Sequence, residues 1–271
     1  MSVAAEVSVL AKLEGSVGSA YVRTEPKELL RFAIDGVTPK FEVRPETAEK
    51  AAEVVRTAVQ EKFAVVACGA RTALAIGTPP ASYDVALDMT RITGISSYDP
   101  GDLTISVNAG MPLADLAREL AEKKQFLPLE VPFFETATVG GAIAAGLDSP
   151  LRQFYGTPRD FLIGAEFVDG TGAQAKSGGR VVKNVTGYDF HKLLNGSLGT
   201  LGVITRLNFR TYPIAPARRG FLASFADELG ALQFAKQIGA SALTPIVLEM
   251  ASPESAGLLF SQYAPFASLC A

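Results

Sequence analysis

A chain of 271 residues, 48% of them hydrophobic, is long and apolar enough to bury one large core or two modest ones, which excludes a disordered protein. Its net charge is −3 and its basic side chains are scattered, so nucleic acid is excluded as the main partner, because phosphate backbones demand clustered positive charge. No apolar run reaches the ~18 residues of a membrane span and the start lacks a basic leader, while Cys68 and Cys270 make neither a disulfide framework nor a zinc pattern; a reducing, cytoplasmic setting is expected.

Residues 1–40 read as a helical lead-in that packs through Leu10, Leu13, Leu29, Leu30 and Phe32. A strand follows at 41–43. In the stretch 46–63, Ala51, Val54, Val55, Ala58 and Val59 fall on one face of an amphipathic helix. Residues 63–67 read as a buried strand, which completes a βαβ unit with parallel strands and a right-handed crossover. That strand runs into Gly69, Ala70, Arg71 and Thr72, where successive backbone N–H groups suit an anion. No Gly-Lys-Ser/Thr follows, so it is not a P-loop. Taken alone, an ordinary loop closed by Pro79-Pro80 is the better reading.

Short strands are expected at 85–88, 92–98 and 103–107, the last two joined by the turn Asp99-Pro100-Gly101-Asp102. Pro112 then opens a helix that turns Leu113, Leu116, Ala117, Leu120 and Ala121 inward. A second helix starts within 137–146 and carries Gly140 and Gly141 in its first turn. Unpaired N–H groups and the helix dipole make such a start an anion site. Close helix packing also wants small residues and explains the run equally well. The run 170–175, Gly-Thr-Gly-Ala-Gln-Ala, has the spacing of a dinucleotide fingerprint. But Asp169-Gly170 reads as the turn of a hairpin between strands at 165–168 and 173–176, so no Rossmann site is assigned. Asn184-Val185-Thr186 is a glycosylation sequon without a secretion signal. His191 is the only histidine, cannot build a histidine-based metal site, and reads as structural or surface. Cys68 reads as a small buried residue.

The stretch 178–205 packs six glycines into a turn, a short helix and a strand. Gly187 and Gly196 bracket a helix carrying Phe190, Leu193 and Leu194, and Gly196 suits a left-handed helix stop. Gly199 and Gly202 let the backbone approach something flat or phosphorylated before the strand Val203-Ile204-Thr205. Tight turns in a compact α/β domain account for these glycines equally well. Beyond Pro213, strands are expected at 219–225 and 245–250 and helices at 227–238 and 252–262.

The order of these motifs carries a resemblance. CGARTALAIGTPP, YDPGDLTISVNAGMPLADLARELAEKKQFLPLEVP, ATVGGAIAAG, PLRQFYGTPRDFLIGAEFVDGTG and GGRVVKNVTGYDFHKLLNGSLGTLGVITRLNFRTYP resemble, in sequence, the FAD-binding domain of the vanillyl-alcohol oxidase/p-cresol methylhydroxylase flavoproteins. Within them the similarity is greatest to the FAD-binding subunits of bacterial glycolate oxidases. The match runs from about residue 41 to 213. It implies an α/β (α+β) fold of two subdomains, the first with a small, partly parallel sheet and the second with a larger, mostly antiparallel one, with FAD between them. Residues 1–213, including the lead-in 1–40, would form the FAD-binding domain. Residues 214–271 would form a partial cap, too short to be a complete one.

The resemblance also implies parts. Gly69, Ala70, Arg71 and Thr72 match the pyrophosphate loop. Ala137, Thr138, Gly140 and Gly141 match the second FAD segment. Gly199, Gly202, Val203 and Ile204 match the segment that lies along the cofactor, and Asn184, Thr186, Gly187 and Tyr188 match the Asn-x-Thr-Gly-Tyr turn near the flavin. Ala70 and Arg71 stand where the family has glycine. Thr72 stands where some members carry a flavin-linking histidine, which implies non-covalent FAD. Arg152, Arg159, Arg180, Lys183 and Tyr188 are candidate contacts for a substrate carboxylate or hydroxyl, and no metal is expected. The function implied is the FAD-binding subunit of a glycolate (2-hydroxy acid) dehydrogenase or oxidase complex, partnered by a second flavoprotein subunit and an iron–sulfur subunit and peripheral to the inner membrane through those partners. A self-contained flavin oxidoreductase and a cofactor-free scaffold of the same fold are the alternatives.

Overall fold

The structure, a computed structural model, describes residues 3–179 and 188–260. The chain divides into two compact units, 1–149 with 156–215, and 150–155 with 216–271.

The first unit is built on two sheets. The lead-in holds helix α1 (Val3–Val17), a short strand β1 (Val22–Arg23) and helix α2 (Pro26–Leu29). Then come β2 (Phe41–Val43), α3 (Ala48–Glu61), β3 (Val65–Cys68) and β4 (Val85–Asp88). They form a sheet of order β1-β2-β4-β3, in which β2 and β3 both run parallel to β4 and β1 is antiparallel. So the expected parallel unit is present, with β4 inserted between its two strands. Thr47 starts α3 by accepting a hydrogen bond from Lys50 N at 3.2 Å, and Lys62 stops it with a left-handed backbone. Helices α1 and α3 cover one face of this sheet, burying Val9, Leu13, Val17, Val54 and Val55 against Val43, Val85 and Leu87. Phe32, Ile34, Cys68, Tyr83 and Ala86 form a smaller cluster of their own. Two sequence expectations fail here. Leu30 is 62% exposed and Val59 is 53% exposed.

The second sheet is antiparallel throughout. Its strands are β5 (Ile95–Asp99), β6 (Thr104–Asn108), β8 (Leu162–Val168), β9 (Gln174–Gly178) and β10 (Val203–Arg210), in the order β5-β6-β10-β8-β9. The β5–β6 hairpin closes as its sequence predicts, with Asp99 Oδ1 accepting from the amides of Gly101 and Asp102. The β8–β9 hairpin turns at Asp169, whose carboxylate accepts from Thr171 N and Ala173 N. A strand therefore follows the 170–175 glycines, as expected for a turn and not a nucleotide fold. Helices α4 (Leu113–Glu122), α5 (Val139–Ala145), α7 (Pro158–Phe161) and α8 (Phe190–Leu194) accompany this sheet, beside a small pair β7 (Gln125–Phe126) and β11 (Tyr212–Pro213). Ile105, Val107, Leu207 and Phe209 of the strands bury against Leu116, Leu120, Ile143, Phe161 and Leu194. In α4, Ala114 is buried and Ala121 exposed, and Pro112 is the residue before the helix.

The second unit holds α6 (Arg152–Tyr155), α9 (Glu228–Ala240) and α10 (Pro253–Phe260). Both expected C-terminal helices are present, α9 capped by Asp227 Oδ1, which accepts from Gly230 N at 2.7 Å. The strands expected at 219–225 and 245–250 are not formed. A strand needs a hydrogen-bonded neighbour, and neither segment has one among the described residues.

Candidate functional site

Loops from both sheets of the first unit meet at the carboxyl end of β3. The strand ends at Cys68 and the chain turns through Gly69, Ala70, Arg71 and Thr72. The amides of Ala70, Arg71 and Thr72 have no hydrogen-bond partner among the described residues. Gly69 lies against Thr138: a Cβ at Gly69 would stand 2.0 Å from Thr138 Oγ1. Only glycine permits that approach, so the first two candidate segments are brought together by the Gly69 backbone packing on the Thr138 side chain.

Thr138 in turn caps α5, its Oγ1 accepting from Gly141 N at 3.3 Å. Gly140 packs on Ala109, with its N–H donating to Ala109 O at 2.8 Å, and Val139 N donates to Met111 O at 2.9 Å. The amides at this helix start are thus already partnered. The expectation of unpaired N–H groups there fails, because the 109–111 backbone runs alongside and accepts from them. Close packing of small residues, the other reading of the run, is what the structure contains. Ala137 is buried, while Gly141 is half-buried and a Cβ there would meet only Thr138 Oγ1, at 3.0 Å.

The third segment docks on the far end of α5. Gly196 N donates to Ile143 O at 3.0 Å and Leu198 N to Ala144 O at 2.8 Å. Gly196 has the left-handed φ of 78° expected after α8. Gly199 comes back to β3, where a Cβ would lie 3.9 Å from Ala67 O, and Gly202 crosses β8 close to Val168 O. Val203 and Ile204 are buried in the start of β10. Of the fourth segment, Asn184, Thr186 and Gly187 lie outside the described residues. Tyr188 is 87% exposed, and its carbonyl accepts from Ser177 Oγ at 3.1 Å. The structure therefore brings the 69–72, 137–141 and 199–204 segments together beside β3, the first two at the start of α5 and the third from its far end.

Arg71 is the residue whose behaviour the sequence did not reveal. Its φ is +66°, the left-handed region in which the glycine it replaces would rest without strain. For a side-chain-bearing residue this costs roughly 1–2 kcal/mol. The Arg71 guanidinium sits 4.7 Å from the centre of the Phe32 ring and 3.8 Å from Asp88 Oδ2. Asp88 lies beside a second buried carboxylate, Glu42. Arg44 Nε stands 3.6 Å from each of them, and Arg31 reaches Glu42 at 3.5 Å. Burial pushes the Glu42 carboxyl above its usual range, and the Asp88 charge adds to this; the arginines only partly offset the two. Burial also pushes the Cys68 thiol up, which leaves it inert as a nucleophile.

His191 is buried, its Nδ1 3.0 Å from Ser177 Oγ, and burial lowers its pKa. Of the candidate substrate contacts, Arg159 lies on α7 and Arg152 on α6 of the other unit, while Arg180 and Lys183 lie outside the described residues. Among the described residues no cluster of His, Cys, Asp and Glu suits a metal ion, and no helix is long and apolar enough to cross a membrane.

Comparison with known proteins then decides the family. The FAD binding domain family matches residues 39–178, just over half of the chain. The chain belongs to the FAD binding domain family. Among curated relatives, glycolate oxidase subunit GlcE of Escherichia coli K12 is 38% identical over 59% of this chain and 46% of its own length. D-2-hydroxyglutarate dehydrogenase of Xanthomonas citri pv. viticola is 30% identical over 78% of this chain and 46% of its own length. Glycolate oxidase subunit GlcD of Bacillus subtilis is 28% identical, over 78% and 45%. The chain thus spans just under half the length of these relatives. Among solved structures, alkyldihydroxyacetonephosphate synthase in P1 superposes with a TM-score of 0.79 at 20% identity, over 97% of this chain and 55% of that one. Substrate-bound p-cresol methylhydroxylase superposes with a TM-score of 0.73 at 19% identity, over 88% and 49%. The fold is therefore that of the vanillyl-alcohol oxidase/p-cresol methylhydroxylase FAD-binding proteins, as the sequence motifs imply.

Proposed function

We propose that this chain is the FAD-binding part of a 2-hydroxy acid dehydrogenase or oxidase of the glycolate oxidase type. One observation carries the cofactor assignment. Three successive amides, of Ala70, Arg71 and Thr72, are without partners among the described residues, at the carboxyl end of a parallel strand. Such a row of N–H groups suits a pyrophosphate, and ligands of open parallel sheets gather at that end of the strands. Gly140, Gly141, Gly199 and Gly202 then offer backbone without side chains along the cofactor's path, with Ala137, Thr138, Val203 and Ile204 behind them. The helix start contributes through closeness and dipole and not through unpaired amides. Asn184, Thr186, Gly187 and Tyr188 complete the set beside the flavin.

FAD is held non-covalently. Thr72 is not a linking residue, and the only histidine is buried against Ser177. When bound, the flavin supplies acceptance of a hydride equivalent, and the chain's residues bind and orient it. The names of the relatives GlcE and GlcD, both subunits, support partner subunits. A second flavoprotein subunit and an iron–sulfur subunit, oxidising a small 2-hydroxy acid, fit this reading.

The purified protein should be yellow with an oxidised-flavin spectrum, and acid precipitation should release all of the colour. Gly141→Asp should fold, because the added Cβ meets only one side-chain oxygen, yet lose the flavin, because it sets a carboxylate against the phosphates. A colourless wild-type protein that takes up no added FAD overturns the reading. Colour retained in the washed acid pellet overturns the non-covalent part.

A further inference from the structure

We propose that Asp88 is the positioning residue of the 69–72 loop. Through Arg71, and together with the Phe32 ring, it holds the backbone in a left-handed turn that arginine by itself avoids. The inference rests on the assignment of that loop to FAD. The loop takes the conformation of a glycine without having the glycine, so something outside the loop must select it. Two anchors reach the Arg71 side chain from different parts of the fold. Asp88 closes β4, and its carboxylate has partners besides Arg71: Oδ1 accepts from Thr90 N at 2.9 Å, and Arg44 Nε stands 3.6 Å from Oδ2, the oxygen that Arg71 also approaches. Phe32 comes from the lead-in, is fully buried, and is wedged among Ile34, Cys68, Tyr83 and Ala86. Neither anchor can follow a loop that relaxes. With the Arg71 backbone in the left-handed region, the guanidinium reaches both at once.

The result is a loop set before the cofactor arrives. A glycine in its place would leave the turn allowed but not chosen, and binding would then have to order it. Arginine tied to Asp88 and Phe32 exchanges that freedom for a turn held by contacts. Asp88 touches neither substrate nor cofactor in this scheme; it acts through Arg71.

The test is a double-mutant cycle of wild type, Asp88→Asn, Arg71→Gly and the double variant, read as the FAD dissociation constant and as the thermal midpoint without FAD. Asparagine keeps the Oδ1 acceptor for Thr90 N, so the loss is confined to charge. Asp88→Asn should weaken FAD about tenfold beside Arg71 and less than about twofold in the Arg71→Gly background, and the FAD-free midpoints should be coupled in the same sense. Equal weakening in both backgrounds overturns the role in binding. Additive midpoints overturn the tether whether or not FAD binds. Coupled midpoints in a wild-type protein that takes up no FAD overturn the cofactor assignment and leave the tether standing. Where Asp88→Asn does not fold, Phe32→Leu takes its place in the same cycle.

Discussion

The two units of the chain spend similar sequences differently. In the first, apolar side chains on α3, α4 and the strands close three clusters in which Phe32, Phe161 and Phe209 are fully buried. In the second, α9 carries Leu229, Leu232 and Phe234 and buries none of them. Phe221 is 91% exposed and Leu258 84%. The difference is not one of residue type. A helix becomes stable in a fold when its apolar face has a complementary surface to meet, and propensity alone supplies little. The first unit provides two sheets for that purpose.

The largest expected effect tests this contrast directly. Phe161→Ala removes a ring packed 6.4 Å from Phe209, and should cost about 3–5 kcal/mol in urea unfolding. Phe234→Ala, at 42% exposure and with Phe225 as its ring neighbour, should cost under about 1 kcal/mol. Equal costs would mean that the second unit owns a core after all.

Glycine replacement sharpens the same contrast with opposite signs. Gly69→Ala drives a methyl group to 2.0 Å from Thr138 Oγ1 and should cost about 1–3 kcal/mol, with loss of FAD uptake, because loop and helix must part. Gly239→Ala on α9 meets nothing within 4 Å and should stabilise that helix by up to about 1 kcal/mol. Helix content followed by circular dichroism and unfolding midpoints reads both. An unchanged midpoint and full flavin uptake in the Gly69 variant would break the assembly of the site described above.

Much of the first unit was legible because its signals are local. The Val54–Val55 stripe announces α3, and Asp99-Pro100-Gly101 and Asp169-Gly170 announce their hairpins by turn chemistry. The small residues around Gly140 were legible as close packing, and Gly140 does meet a neighbouring chain segment, as do Gly69, Gly199 and Gly202. What they approach was not legible, since Thr138, Ala109, Ala67 and Val168 become neighbours only through the tertiary fold. The partnered amides at the start of α5 depend on the backbone of 109–111, a long-range contact that no periodicity reports. Arg71 is the sharpest case. Sequence marks it as a departure from glycine, but the turn it adopts is decided by Phe32 and Asp88, which lie far from it along the chain. The C-terminal strands failed for a related reason: a segment fit for a sheet does not supply its own neighbour.

The smallest effect is a pH dependence of opposite sign at two glutamates, one from each unit. Glu42 is 1% exposed, and burial first, then the Asp88 charge, raises its carboxyl above the ordinary value of about 4.3. Between the ordinary and the raised value the folded chain binds more protons at this site than the unfolded chain, so its contribution to stability is lost as pH rises through that window. Glu254, exposed in the first turn of α10, is shifted the other way by hydrogen bonds from its own backbone N–H and from Ser252. Its contribution is present above the ordinary value and is lost as pH falls through the lowered one. Glu42→Gln should therefore gain on wild type as pH rises from about 4 towards neutrality. Glu254→Gln should lose to wild type at neutral pH and draw level as pH falls below the ordinary value. Paired urea titrations across that range measure both differences. A Glu42→Gln curve that runs parallel to wild type throughout would show that the arginines around Glu42 compensate its burial fully, and that the Glu42–Asp88 pair sits in a solvated pocket and not in the interior of the first unit.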